Sequence, residues 1–390
     1  MFREVAARLL ELARPGVATR ATARVTVVCP HSKVALHAWL PALSKVIQPS
    51  CALLVHGLND YSRYWDKLAP ALTEQGLTVV AVDLRGHGYS SALQGPLGFL
   101  DSYSSARDND VIFGAQVAVD LCCMSSLGGV ARAPLVLIGS SLGGTLVIDA
   151  ALRWRASRAA ALRSHSVPSD GGGEVDALSL VCGVVAQAPL YIPRQSATPS
   201  AAWQAVGALL HAIAPTMPII PSRTGTGAAY HADVRGMRVA EDAIDGRVYK
   251  GRMRVGTAWA LLDGMRSLRR HMTRSDGCHN VSVECEMHCK PIALLAPLPP
   301  LRLLIQHGTA DALVDVSGSE RLVHEVASQH CRGYLRLYRD GTHDLLRERE
   351  VMTNMVVRDV VRWTTSATKM WQKRLLTEPL TQQHAKSVKI

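Results

Sequence analysis

The stretch Pro134-Leu-Val-Leu-Ile-Gly-Ser-Ser-Leu-Gly-Gly144 decides how the rest of the chain is read. Leu135 to Ile138 is a short, continuous apolar run, the pattern of a strand buried on both faces of a parallel sheet. Gly139-Ser140-Ser141-Leu142-Gly143 follows at once and fits G-x-S-x-G, and Thr145 to Leu152 continues as an apolar, helix-compatible segment. Strand, sharp turn and helix is the context in which this motif holds its middle serine in a strained conformation with the hydroxyl free. Glycines flank it because a Cβ there would collide with the adjoining strand or helix. Two serines are adjacent, but Ser140 would require glycine at the position of Ile138, so Ser141 is the candidate nucleophile.

Strands alternate with helices on both sides of this stretch. Upstream, Val25 to Cys29 and Val34 to Leu40 read as an opening antiparallel pair, and Ala52 to Val55 as a strand running into His56-Gly57-Leu58-Asn59-Asp60. Tyr64 to Glu74 reads as a helix, Thr78 to Val82 as a strand ending at Asp83-Leu84-Arg85-Gly86-His87-Gly88-Tyr89-Ser90, and Val111 to Met124 as a helix. Downstream come a strand in Leu178 to Ala186, a strand in Leu301 to Ile305 ending at His307-Gly308-Thr309-Ala310-Asp311, and a helix in Ser319 to Ala327. Tyr334 to Tyr338 reads as the last strand, followed by Asp340-Gly341-Thr342-His343, and a final helix spans Glu348 to Trp363. The alternation predicts an α/β fold with a doubly wound, mostly parallel sheet.

Residues 191–290 break the alternation. They hold an apolar run, Val206 to Ile220, interrupted by Pro215 and Pro218, and a helical pattern in Thr257 to Leu268. The reading divides the chain into an N-terminal basic amphipathic segment (1–24), a first core part (25–190), an inserted helical cap or lid (191–290), a second core part (291–365) and a basic C-terminal tail (366–390).

Composition bounds the partners. A chain of 390 residues, 48% hydrophobic, fits one large domain with insertions and excludes wholesale disorder. No apolar run approaches the ~18–20 residues of a membrane-spanning helix, and the charged, amphipathic N-terminus lacks a signal-peptide h-region. The nine cysteines are odd in number and scattered, which suits a reducing, cytoplasmic setting better than a disulfide scaffold. The net charge of +11 is unevenly placed. Residues 1–24 carry five Arg against two Glu, residues 191–290 thirteen Lys/Arg against eight Asp/Glu, and residues 366–390 five Lys/Arg against one Glu. What remains is close to neutral, so the core is no nucleic-acid platform. The basic excess favours an anionic membrane surface, hence peripheral membrane contact through the cap.

Cleaving an ester through an acyl-enzyme needs a nucleophile, a base, an acid to orient the base, and an oxyanion site. Ligands of a parallel sheet meet the carboxyl ends of its strands. Asp311 and His343 each sit just past the end of a strand, and with Ser141 they appear in the order Ser, Asp, His of this hydrolase chemistry. Asp315 is the competing acid and His307 the competing base, although a histidine two residues into the post-strand turn reads as structural. Asp344 is expected to point elsewhere. The oxyanion donors are expected to be the backbone N–H groups of Leu142, after the nucleophile, and Leu58, in the turn after the Ala52 to Val55 strand. Cys278-His279 and Cys285-x-x-His288-Cys289 invite a zinc reading, but their spacing fits no standard finger and the chemistry needs none. No metal and no cofactor are expected.

The motifs His56-Gly57, Ser62-Arg63-Tyr64, Asp83 to Ser90, Gly139 to Gly144, His307 to Asp311 and Gly341-Thr342-His343 together resemble the monoacylglycerol lipase branch of the α/β-hydrolases, over roughly residues 30–365. Ser140 and Leu142 depart mildly from the residues that flank the serine in that family. The resemblance implies an α/β-hydrolase fold, a lipid monoester substrate, an inserted cap whose apolar face meets membranes at the place of Val206 to Ile220, and substrate-binding roles for His56, Gly57, Asp60 and Arg63. Lysophospholipase and general carboxylesterase activities are the near alternatives, and an inactive hydrolase-fold binding protein the more distant one. Aminopeptidases of the same fold are disfavoured, because amine recognition calls for acidic residues and this cap is net basic.

Overall fold

A computed structural model of the chain describes residues 1–13, 24–29, 32–42, 45–46, 48–126, 133–163, 176–193, 201–221, 227–273, 300–327 and 331–377. In chain order its elements begin with α1 (Phe2–Ala13), β1 (Val25–Cys29), β2 (Val34–Trp39), β3 (Cys51–Val55), α2 (Leu68–Glu74) and β4 (Thr78–Asp83). The short α3 (Ser91–Gln94) and α4 (Tyr103–Ser105), a π-helical turn (Ala106–Val111), α5 (Ile112–Ser125), β5 (Leu135–Ser140), α6 (Leu142–Arg163) and β6 (Val181–Gln187) follow. Next come α7 (Ala201–Ile213), β7 (Pro218–Ile220), α8 (Ala232–Ile244), β8 (Met253–Arg254) and α9 (Val255–Thr273), then β9 (Leu301–Gly308), α10 (Val316–Ala327), β10 (Cys331–Tyr338) and α11 (Glu350–Thr377).

The apolar runs pair into one eight-stranded sheet of order β1-β2-β4-β3-β5-β6-β9-β10, antiparallel at β1–β2 and β2–β4 and parallel from β4 to β10. This is the doubly wound, mostly parallel sheet expected of the sequence. The central strands are apolar throughout because both faces are covered. Leu53, Val55, Leu135 and Leu137 join the core cluster beneath α5 and α6, while Ala52, Leu54, Val136 and Ile138 turn to the cluster beneath α2 and α11. That is the period-2 alternation of a strand. β7 and β8 form a small separate antiparallel pair between α7 and α9.

Several elements depart from expectation. The helix expected to stop at Trp363 runs to Thr377, because Ala367 is still buried against the sheet. The apolar run Val206 to Ile220, by contrast, is split where its prolines interrupt it: α7 ends at Ile213, before Pro215, and Pro218 to Ile220 form β7. A proline lacks the N–H that would continue the helix. The amphipathic N-terminal segment forms a helix over residues 2–13 that packs on the core. Ala6 and Leu9 of α1 are buried, and Phe2 meets Phe113 of α5 at 5.4 Å between ring centroids.

The topology also positions the site. β3 lies between β4, which follows it, and β5, which comes later. The chain reverses direction across the sheet there, and such a switch point opens a crevice at the strands' carboxyl ends. The loops after β3 and β5 flank it. The far half of the sheet is joined at β6–β9, where Gln187 Nε2 donates to Gln306 Oε1 at 2.9 Å between residues 119 positions apart.

Candidate active site

Ser141 stands at the junction of β5 and α6 with φ +51°. A residue with a Cβ is strained in that left-handed region. The strain is held from both sides: the Ser141 N–H donates to the Gln187 carbonyl at 2.7 Å, and the Leu190 N–H donates to the Ser141 carbonyl at 3.3 Å. The flanking glycines are required as anticipated. A Cβ on Gly143 would lie 2.0 Å from the Val55 carbonyl oxygen, and one on Gly139 would lie 2.3 Å from that of Gly143. The side chain of Ser141 thus sits at the N-terminus of the 22-residue helix α6, where unpaired N–H groups and the helix dipole favour negative charge.

Asp311 and His343 meet at the ends of β9 and β10. His343 Nδ1 lies 2.7 Å from Asp311 Oδ2. An ionised carboxylate only accepts, so the proton is on Nδ1 and Nε2 is left as the basic nitrogen. The same Oδ2 also receives His307 Nε2 at 3.1 Å, and Oδ1 accepts the N–H groups of Leu313 at 2.7 Å and Val314 at 3.0 Å. Burial alone would raise the Asp311 carboxyl. The charge of His343 and the hydrogen bonds from His307 and His343 overcome this and hold it well below the usual carboxylate range. For His343 the signs are reversed. Burial pushes the imidazolium down, but the Asp311 charge and hydrogen bond lift it to about 9, with a smaller push from Asp344.

The competitors fall into other places. His307 is fully buried and bonded on both sides, since its Nδ1 lies 2.6 Å from Ser319 Oγ. Its Nε2–H points at Asp311, so Nδ1 accepts from the serine hydroxyl. Asp315 accepts from Ser317 N–H at 3.0 Å and Oγ at 2.7 Å, in the first turn of α10.

Ser141 and His343 line one cavity, together with Gly57, Leu58, Asn59, Asp60, Tyr230, Asp242 and Arg347. Leu142 opens α6, so its N–H is among those without an intrahelical partner. Leu58 lies on the facing loop. Two residues named as substrate-binding are placed otherwise. His56 is fully buried: Leu84 N–H donates to Nε2 at 2.9 Å and Nδ1–H donates to the Gly57 carbonyl at 2.7 Å. With both nitrogens on the backbone and burial lowering its pKa, the ring shapes the turn and does not face the cavity. Arg63 likewise does not line the cavity; its guanidinium is taken up by Asp60, Asp242 and Asp245. Asp344, expected to point away, lines the cavity, and burial raises its carboxyl to about 6.

Sequence reasoning missed Arg347 and Tyr230. Arg347 Nη1 donates to Tyr230 Oη at 2.6 Å and Nη2 to Asp242 Oδ1 at 2.7 Å. The one signal available was an arginine within a buried turn, Leu345–Arg347, directly after His343. The role of Asp83 was also legible only as a motif position. Its carboxylate accepts Ser62 N–H at 2.8 Å and Tyr89 N–H at 2.9 Å and pairs with His37 at 3.1 Å, tying together the loops after β3 and β4. Among the described residues no group of His, Cys, Asp and Glu is arranged to hold a metal ion, and Cys278 to Cys289 lie outside the described residues.

Comparison with known proteins agrees with this architecture. The family model for serine aminopeptidase, S33, matches residues 49–165 and 175–350. The chain is 25% identical over 314 residues to the monoacylglycerol lipase of Mycolicibacterium smegmatis, which covers 80% of this chain and 87% of that protein. In fold it is similar to a soluble variant of monoglyceride lipase from Saccharomyces cerevisiae solved with a substrate analogue, with TM-score 0.60, 17% identity, and coverage of 86% of this chain and 92% of that one. It is also similar to the monoacylglycerol lipase of Paleococcus ferrophilus, with TM-score 0.54, 20% identity, and coverage of 88% and 98%. The chain belongs to the serine aminopeptidase, S33 family and is a lipase/esterase-type α/β-hydrolase, similar to monoacylglycerol lipases.

Proposed function

We propose that the protein is a serine hydrolase that cleaves carboxylic esters of lipids, monoacylglycerol to glycerol and fatty acid, with Ser141 as nucleophile, His343 as base and Asp311 as the acid that orients it. The observation that carries this reading is the Asp311–His343 hydrogen bond of 2.7 Å beside the strained Ser141, with Ser141 and His343 on one cavity. Ser141 Oγ attacks the ester carbonyl while His343 Nε2 takes its proton. The oxyanion that forms is met by the N–H groups of Leu142 and Leu58. Collapse breaks the ester bond, and glycerol leaves with the proton from His343. Water then attacks the acyl-enzyme, His343 takes its proton and returns it to Ser141, and the fatty acid is released. No metal or cofactor enters these steps.

The family includes serine aminopeptidases by its name. An amine substrate would need a charged carboxylate near Ser141; Asp60 and Asp242 are paired with Arg63 and Arg347, and burial raises the carboxyl of Asp344, the third on the cavity, to about 6. The test is a panel of monoacylglycerols, lysophospholipids, p-nitrophenyl esters and aminoacyl p-nitroanilides. The largest kcat/KM on a monoacylglycerol supports the proposal, and turnover of anilides but not esters overturns it.

A base must be neutral to accept a proton. With His343 lifted to about 9, kcat/KM for a soluble ester is expected to rise with pH through the neutral range and level only near pH 9. An inflection below pH 6 would show that Asp311 does not stabilise the imidazolium.

We further propose that residues 191–290 act as a cap that docks on membranes. Among the described residues no helix is long and apolar enough to cross a membrane. Leu209 and Ile213 of α7 are 64% and 70% exposed, and Met217 beyond it is also exposed. Exposed apolar groups at that density favour a lipid surface, and the basic cap adds attraction to anionic headgroups. Binding to anionic vesicles should weaken but persist in 1 M salt, where the Debye length is about 3 Å. Leu209→Asp and Ile213→Asp should remove the residual binding and lower activity on long-chain monoacylglycerol more than on a short ester. Equal loss on both would place these residues in cap packing instead.

A further inference from the structure

One wall of the Ser141 cavity is α8, through Val239, Asp242 and Ala243. Yet α8 has no buried residue, and its Met237 and Ile244 are exposed. A surface helix of a globular protein is ordinarily held by an apolar stripe facing the core. What ties α8 down is a set of charged bonds reaching from two core loops. Arg63, in the turn after β3, donates through Nη1 to Asp245 Oδ2 at 2.9 Å and through Nη2 to Asp242 Oδ1. Arg347, in the turn after His343, donates through Nη2 to the same Asp242 oxygen at 2.7 Å. Tyr230 Oη donates to Asp242 Oδ2 at 2.6 Å, and Tyr61 Oη donates to Asp245 Oδ2 at 2.8 Å. The four charged groups, Arg63, Asp242, Asp245 and Arg347, are 16%, 17%, 15% and 10% exposed, so solvent screens them less than it screens ordinary surface pairs.

Size gives this clasp a consequence. The cavity under α8, partly open to solvent, offers about 190 Å³, whereas pockets that engulf a drug-sized ligand occupy ~300–1,000 Å³. A short ester asks for less of that room than a long acyl chain does. We infer that Arg63 and Arg347 are specificity-determining residues: by clasping Asp242 and Asp245 they hold α8 over the cavity, so that small esters enter freely and long-chain esters enter only when the clasp opens. The kinetic half of this inference rests on the ester-hydrolase reading above. The clasp itself does not.

The test uses the full-length protein and the variants Arg63→Gln, Asp245→Asn and their combination, with Asp245→Glu as the conservative control. Neither position lines the cavity or touches Ser141, Asp311 or His343. Hydrogen–deuterium exchange should show α8 amides losing about tenfold protection in Arg63→Gln and Asp245→Asn, with sheet amides unchanged. The double variant should add less than the sum of the single changes, because the Arg63–Asp245 link is lost in both. Asp245→Glu should keep most of the protection. For a long-chain monoacylglycerol, kcat/KM should rise about fivefold through KM, while p-nitrophenyl acetate should change by less than about twofold. Unchanged exchange in α8 would overturn the clasp. Released α8 with unchanged or lower long-chain kcat/KM would overturn the gate. If neither ester is a substrate of the wild type while α8 is still released in the variants, the ester reading fails and the clasp stands.

Discussion

Replacement of Ser141 by alanine is expected to lower ester turnover by about 10⁵- to 10⁶-fold, the loss seen when a triad serine is removed. Labelling by a fluorophosphonate should disappear with it. Ser140 does not share the geometry that singles out Ser141. Ser140 is the last residue of β5, paired in register with Gln187, whereas Ser141 takes the left-handed turn at the start of α6. Ser140→Ala should therefore keep its labelling. If Ser141→Ala is labelled at the wild-type rate, or Ser140→Ala is not labelled, the nucleophile has been misassigned.

Asp311→Asn is expected to lower kcat by about 10³- to 10⁴-fold while the protein stays folded, since an amide no longer fixes the imidazole tautomer. It also removes the charge that offsets the burial of His343. The inflection near pH 9 should fall below the ordinary imidazole value of about 6.5, because only desolvation then remains among the large influences on His343. This second readout separates orientation from simple loss of fold. Asp315→Asn is the control. Asp315 accepts from Ser317 at the first turn of α10, so its loss should cost about 1 kcal/mol of stability, as for a helix cap, and leave the pH profile in place. If Asp315→Asn shifts the profile and Asp311→Asn does not, the two roles must be exchanged.

The parallel core was legible because a strand covered on both faces has to be apolar throughout. The runs through Leu53, Val80, Leu137 and Leu304 could be neither amphipathic helix nor edge strand. The candidates Ser141, Asp311 and His343 were picked out for a related reason, each standing where such a run stops. Arg63 was misread because its partners Asp242 and Asp245 lie 179 and 182 residues away. Charge complementarity over that separation leaves no trace in local periodicity. His56 was misread because an H-G turn does not say which way the ring faces, and here the Leu84 N–H and the Gly57 carbonyl capture it. The end of α11 was lost because exposed Lys369 and Met370 alternate there with buried Ala367 and Thr368, so the segment read as a basic tail while one face still packed.

The seam between β6 and β9 has a consequence for how the chain is made. Gln187 and Gln306 touch across it, yet 119 residues separate them. On a ribosome adding about 5–20 residues per second, the outer edge of β6 waits roughly 6–25 s for its neighbour. During that interval the nascent chain presents an unpaired, apolar strand edge, the kind of surface that recruits other chains. It also carries Ser141 on its elbow with neither Asp311 nor His343 yet synthesised. On the proposed mechanism, the candidate nucleophile is therefore made well before the base and acid that would activate it, and the site is complete only when the last two strands close the sheet.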